Sequence, residues 1–338
     1  MNNPVLSICR NLVSKIKMIT GVNPKQVIEL VKHRTQARSR TADGRKLAVV
    51  VEGGAMRGTY TAGSLLAFHL MGAVDIFDAV YATSAGAMNA AHFLSGVGHL
   101  KAATYYRALA DGRFYNPWRL SRPVDVDFLF NVVLRKEIPL EMDLLANSKT
   151  TLKVAMLNYD DAVGEMKVIS PKDQSAWDTL KAAVAMPVVY NKTVRLPGGR
   201  YVDGGMVIPY PLMQAIDDGM TDLVVLLSRD PSKPAQPRGL FQYILWSLVF
   251  AKGRQKLIRL LERWHLRARE LDGMVTGKIA PPPGVRILCI APSNPRVSSS
   301  TQNRSLLRDS CIRMTKETLD LFGSSQKPLL NLIDQGIL

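Results

Sequence analysis

The chain has 338 residues, 47% of them hydrophobic, and a net charge of +16. That much apolar material excludes a disordered polyelectrolyte and is enough to bury a sizeable core. The charge excludes an indifferent surface and directs the search for partners toward anionic ones, either phospholipid headgroups or nucleic acid.

The basic charge is unevenly placed: over residues 1–46, Arg10, Lys15, Lys17, Lys25, Lys32, Arg34, Arg38, Arg40, Arg45 and Lys46 face only Glu29 and Asp43. Val5, Ile8, Leu12, Ile16 and Ile19 recur at helical spacing, which predicts an amphipathic helix with a basic face. Arg10, Lys15 and Lys17 break every apolar run, so the segment does not read as a secretory signal. A helix packed on the domain and a helix lying on a membrane both fit it.

Leu47–Val51 is a short β-branched run without a polar interruption, the pattern of a parallel strand buried on both faces. It ends at Glu52-Gly53-Gly54-Ala55-Met56-Arg57-Gly58, and Thr61, Ala62, Ser64, Leu65, Leu66 and Phe68 beyond it suit a helix. Backbone N–H groups clustered at a helix N-terminus can hold an oxyanion or a phosphate. Taken alone, this loop is equally an oxyanion loop, a nucleotide loop or a tight structural turn.

A second strand-to-helix junction follows at Val80-Tyr81-Ala82-Thr83-Ser84-Ala85-Gly86, with Ala87, Met88, Ala90, Ala91, Phe93 and Leu94 continuing as an apolar helix. Small residues on either side of Ser84 permit a sharp elbow that points its hydroxyl outward. A serine that only caps the helix fits the same residues. Thr151–Met156, Lys167–Ile169, Asp222–Leu227 and Arg286–Ile290 read as further strands, and their alternation with helices predicts an α/β layered domain. Between them, Tyr201-Val202-Asp203-Gly204-Gly205 reads as a turn presenting a carboxylate.

Leu240–Phe250 is apolar but far short of the roughly 20 residues that span a bilayer. Lys252, Lys256, Arg259, Arg263 and Arg267 follow at intervals of three or four residues, with Leu257, Leu260, Leu261, Trp264 and Leu271 on the other face. This predicts a basic amphipathic cap over the site, with cations at headgroups and apolar side chains in the acyl boundary. A cap helix buried on the protein is the plain alternative. From Ser298 to Leu338 a serine-rich stretch leads into a helical tail, in which Leu306, Leu307, Ile312, Met314, Leu319, Leu321 and Phe322 are available for packing.

Glycine loop, serine elbow and a late Asp-Gly-Gly, in that order, resemble the patatin-like phospholipase family. That family pairs a serine in a Gly-x-Ser-x-Gly elbow with an aspartate in an Asp-Gly-Gly/Ala turn. The resemblance runs from about Lys46 to Ser228 and extends to the strand at Arg286. It implies a three-layer α/β/α sandwich with a mostly parallel central sheet. The catalytic domain would cover 46–297, with the cap inserted at about 231–280, a basic extension at 1–45 and a helical tail at 298–338. It further implies Ser84 as nucleophile, Asp203 as proton acceptor, and Gly53, Gly54 and Ala55 as oxyanion hole, supported by Arg57, Gly58, Gly86 and Gly204. No metal or organic cofactor is implied.

Two residues depart from the family pattern: Ala55 replaces its middle loop glycine and Ala82 the first glycine of its elbow. An alanine in the β region carries no penalty, whereas a left-handed one costs about 1 kcal/mol; tolerance is expected. An aspartate with an ordinary pKa of about 3.9 is a feeble base, so burial must raise its basicity or the loop must carry much of the rate. Arg57 would brace the loop or face a phosphate. The histidines, His33, His69, His92, His99 and His265, argue against a Ser-His-Asp triad. Only His265 follows both serine and acid, and it stands among Arg263, Arg267 and Arg269.

Cys9, Cys289 and Cys311 have neither metal-ligand spacing nor an even-numbered framework, which points to a reducing compartment. The expectation is therefore a cytoplasmic acyl-ester hydrolase, peripheral on the inner face of a membrane, acting on phospholipid or lysophospholipid. The alternative is a catalytically weak lipid-binding protein on the same fold. A nucleic-acid partner is not expected, because no aromatic-basic recognition motif accompanies the charge.

Overall fold

The computed structural model describes residues 19–40, 43–96, 107–119, 122–233, 235, 244 and 246–338. Strand β1 (Ile19–Val22) leads into helix α1 (Pro24–Ala37), which Pro24 starts with its fixed φ. Ile19 is thus a strand residue opposite Ile290, not part of the predicted N-terminal helix; Val5, Ile8, Leu12 and Ile16 lie outside the described residues. Helix α1 buries Val27, Leu30, Val31 and Arg34. Arg34 is not a surface cation: its guanidinium donates to Asp43 and Asp78, each at 2.9 Å, and to the carbonyls of Ile76 and Arg45. Residues 19–37, counted in the sequence with a basic extension, therefore pack into the domain.

Next come β2 (Leu47–Val51), α2 (Thr59–Leu70), β3 (Ala79–Thr83) and α3 (Ala85–Leu94), both strands buried throughout. A short helix α4 (Val126–Phe128) continues as π-helical turns over Leu129–Glu137, followed by α5 (Met142–Ala146) and β4 (Thr151–Asn158). The remaining elements are β5 (Val163–Val168), α6 (Ala176–Ala183), β6 (Val194–Leu196), β7 (Gly199–Asp203), α7 (Leu212–Asp217), β8 (Asp222–Leu226), α8 (Gln255–Val275), β9 (Arg286–Ile290), α9 (Arg304–Leu321) and α10 (Lys327–Asp334).

The sheet runs β1-β9-β8-β2-β3-β4-β7-β6, with β5 also paired to β4. Its centre, β9-β8-β2-β3-β4, is parallel, as helical crossovers require. The flanks are antiparallel because β4–β5 and β6–β7 are hairpins and β1 returns against β9, so the sheet is mixed. Alternate residues of β2 serve opposite layers: Val49 and Val51 join Leu65, Phe68 and Met314, whereas Ala48 and Val50 join Leu212, Leu271 and Met274. Helices thus cover both faces, giving the three-layer α/β/α sandwich.

The tail belongs to the core. Thr59 Oγ1 donates to the Leu307 carbonyl and Thr315 Oγ1 to that of Gly63, and a Cβ at Gly63 would lie 2.4 Å from the Cys311 carbonyl oxygen. Gly63→Ala must force α2 and α9 apart; we expect a loss of about 1–3 kcal/mol in urea unfolding, and an unchanged midpoint would contradict this packing.

Register brings the motifs together. Val51 of β2 stands beside Ala82 of β3, so the glycine loop and Ser84 leave adjacent strand ends. Thr83 pairs with Ala155 of β4, whose neighbour Met156 pairs with Asp203 of β7.

Candidate active site

Ser84 sits between β3 and α3 at φ 54° and ψ −132°, a region that non-glycine residues enter only under local strain. The crowding that imposes it is visible in the glycines. A Cβ at Gly53 would lie 2.6 Å from Ser84 Cβ, and one at Gly86 would lie 2.7 Å from the Val51 carbonyl oxygen. Ala82 lies within β3, fully buried, and carries no left-handed strain. Ala55 differs: its φ is 51°, so the loop holds an alanine in the left-handed region at a cost of about 1 kcal/mol.

In the loop, the Met56 N–H donates to the Ser299 carbonyl (3.3 Å) and that of Arg57 to Gly54 (3.1 Å). Among the described residues, no acceptor closes on the N–H groups of Gly53, Gly54 or Ala55. Gly54 adopts φ 132°, and a Cβ there would lie 2.7 Å from Ser228 Oγ. Arg57 Nε is buried without a hydrogen-bond partner among the described residues.

Asp203, at the end of β7, is completely buried. Its Oδ1 accepts the Gly205 N–H at 2.8 Å, while Oδ2 has no partner at hydrogen-bond geometry among the described residues. Burial pushes its pKa up to about 7, against the opposing pull of the Ser84 hydroxyl and the Gly205 amide. The Ser84 hydroxyl stands close enough to act on this carboxyl as a hydrogen-bond donor, though it does not meet Oδ2 at good geometry. Gly204 has no room for a side chain, since a Cβ would lie 2.4 Å from the Ala155 carbonyl carbon.

Ser84, the loop and Gly205 border a cavity of about 850 Å³, walled by Met88, Leu109, Phe114, Leu129, Val184 and Met186. None of the described histidines lines it; His99 lies outside the described residues. Among the described residues no His, Cys, Asp or Glu cluster could hold a metal ion. Residues 49–216 match the family described as patatin-like phospholipase. The chain belongs to the patatin-like phospholipase family. At the level of the family, this makes it a lipid acyl hydrolase.

One relative of this patatin-like chain is the uncharacterized protein YjjU of Escherichia coli (strain K12), 27% identical over 265 residues, covering 77% of this chain and 72% of the other. Among solved structures, human GIVD cytosolic phospholipase A2 aligns with 97% of this chain at TM-score 0.48 and 10% identity. The match covers 64% of that protein, less than two thirds of its length. VipD from Legionella pneumophila aligns with 84% of this chain and 69% of its own at TM-score 0.37 and 13% identity.

Around the patatin-like core the structure adds a buried ionic network that the sequence did not suggest. Glu52, immediately before Gly53, accepts from the Ser228 N–H (2.7 Å), Ser228 Oγ (2.9 Å) and Arg229 Nε (2.9 Å). Arg229 also grips Asp272 of α8 through both terminal nitrogens, at 2.9 and 2.7 Å, and Tyr210 donates to the same carboxylate. Burial raises the Asp272 pKa, opposed by Arg229. Burial also opposes charge on Arg229, but Glu52 and Asp272 outweigh it and hold the guanidinium above its ordinary range. The one available signal was a charged Glu52 ending an apolar strand.

Helix α8 corrects the expected cap. Its apolar face, with Leu257, Leu261, Ala268 and Leu271, is buried in the protein instead of being offered to acyl chains. Trp264 Nε1 donates to the Gly205 carbonyl at 2.8 Å, and Arg267 is tied to the Val207 carbonyl. Lys252, Lys256, Arg259 and Arg263 are exposed. Of Leu240–Phe250, residues 240–243 and 245 lie outside the described residues. No described helix is long and apolar enough to cross a membrane.

Proposed function

We propose that the protein hydrolyses an acyl ester of a membrane lipid, phospholipid or lysophospholipid, through a Ser84–Asp203 dyad. The observation that carries this reading is a buried carboxylate with one unpaired oxygen beside a serine on a strained elbow, opening into an apolar cavity. Asp203 takes the Ser84 proton as Oγ attacks the ester carbonyl, and the oxyanion forms toward the amides of Gly53, Gly54 and Ala55. Asp203 then returns the proton to the departing alcohol. Water, deprotonated in turn by Asp203, attacks the acyl-enzyme; the acyl–Oγ bond breaks, Asp203 returns the proton to Ser84 Oγ, and the fatty acid leaves. These steps balance with protein groups and water alone. Gly58, Gly86 and Gly204 support the backbone of the site, and Arg57 faces the cavity beside the loop. We place the reaction in the cytoplasm, consistent with Cys289 and Cys311 as buried free thiols.

Because the base acts ionised, kcat/KM should rise with pH to a plateau with a midpoint near 7, where an ordinary aspartate would place it near 4. A pH–rate profile on a soluble ester checks this; a flat profile between about pH 5 and 9 would remove Asp203 as the base. The reading as a whole is tested by ester hydrolysis with wild type, Ser84→Ala and Asp203→Asn. The left-handed Ala55 favours one competitor, a lipid-binding protein with a misplaced loop amide. Vesicle binding without Ser84-dependent turnover would select it.

A further inference from the structure

Two apolar projections adjoin residues that line the cavity. Tyr115 and Val124 pair through an isolated β-bridge and line the cavity. Next to Tyr115, the segment 116–119, held by the Trp118 N–H on Asn116 Oδ1 (2.9 Å) and the Arg119 N–H on the Asn116 carbonyl (3.1 Å), presents Trp118 at 87% exposure. Trp246 and Trp264 also line the cavity, and Leu248 and Leu266 close by in the chain are 69% and 55% exposed. Leu266 lies on the cation-rich helix α8. Exposed Lys256, Arg259, Arg263 and Arg269 outnumber Glu262 and Glu270 along the outer side of α8, and exposed Lys252 precedes it.

From this arrangement we infer that Trp118, Leu248, Leu266 and the outer cations of α8 form a docking surface for a bilayer carrying anionic headgroups, with the cavity opening between them. The inference deepens the lipid-ester reading and rests on it for the choice of occupant. Charge complementarity favours an anionic bilayer: cations interleaved with single large apolar side chains bind headgroups while the apolar tips enter the boundary. A protein partner of ordinary interface type would ask for a contiguous apolar centre depleted of charge.

Docking is measured by co-sedimentation of the full-length Ser84→Ala protein with phosphatidylglycerol–phosphatidylcholine vesicles, beside pure phosphatidylcholine vesicles. The Ser84→Ala background keeps the lipid intact. Binding should require phosphatidylglycerol and weaken with salt. Arg259→Gln with Arg263→Gln should reduce it about thirty-fold, and Trp118→Ala about tenfold. In the Ser84-containing protein the same substitutions should leave hydrolysis of a soluble ester unchanged, which shows that the fold is intact. Equal binding by wild type and variants, or indifference to phosphatidylglycerol, overturns the surface. So does loss of a dimer in the variants, by sedimentation velocity, in place of lost vesicle binding. Docking by a protein that hydrolyses no ester would keep the surface and remove the hydrolase reading; hydrolysis without docking does the reverse.

Discussion

Ser84→Ala and Asp203→Asn are each expected to lower kcat for an acyl ester by about 10³-fold or more, and the double variant little further, because nucleophile and base act as one unit. Steady-state rates on a chromogenic ester and on phospholipid vesicles measure this. Wild-type turnover that survives either substitution would dismiss the dyad. The two variants should separate in stability. Asp203 has a folded pKa of about 7 through burial, against about 3.9 in the unfolded chain. The folded state therefore holds the proton more tightly: its stability is complete below about pH 4 and declines as pH rises through about 7, by about 4 kcal/mol in all. Asparagine cannot ionise, and its side-chain oxygen can still accept the Gly205 N–H. Asp203→Asn should thus lose much of the pH dependence of urea unfolding between about pH 5 and 8 and be the more stable protein at the upper end. Ser84→Ala should retain that dependence. Identical pH curves for wild type and Asp203→Asn would show that Asp203 is not the buried titrating group.

Arg229→Leu should destabilise the fold by about 3–5 kcal/mol, the largest stability loss expected of a single substitution here. The side chains of Glu52 and Asp272 are 8% and 6% exposed, and both depend on this guanidinium for their countercharge. Removing it leaves two carboxylates facing each other out of water. Replacing the carboxylates as well, with Glu52→Gln and Asp272→Asn, should restore much of the loss, since no uncompensated charge then remains. The same variant should lower kcat, because Glu52 precedes Gly53 and holds Ser228 against Gly54. A loss below about 1 kcal/mol in urea unfolding would mean that water reaches the network and that it does not brace the loop.

The backbone of the candidate site was written locally, and so could be read. A β-branched run into Gly53-Gly54, a serine flanked by small residues and an aspartate followed by Gly204-Gly205 each specify their own backbone over a few residues. Strand period and turn chemistry act at that range. Gly53, Gly86 and Gly204 meet carbonyls or side chains at distances that no other residue could keep, so crowding at the elbow already leaves its mark in the sequence.

What the sequence by itself determined was therefore the order of strand, loop, elbow and carboxylate turn, and a parallel centre to the sheet. The tertiary structure alone decided that β1 pairs with β9, that Arg34 is a buried tie instead of a surface cation, and that the apolar face of α8 turns inward. It alone linked Glu52 to Arg229 and Asp272, and it alone put Ala55, but not Ala82, in the left-handed region. The physical reason is range. A backbone preference acts between neighbours, whereas burial, desolvation and the pairing of charges distant in the chain exist only once the layers have packed.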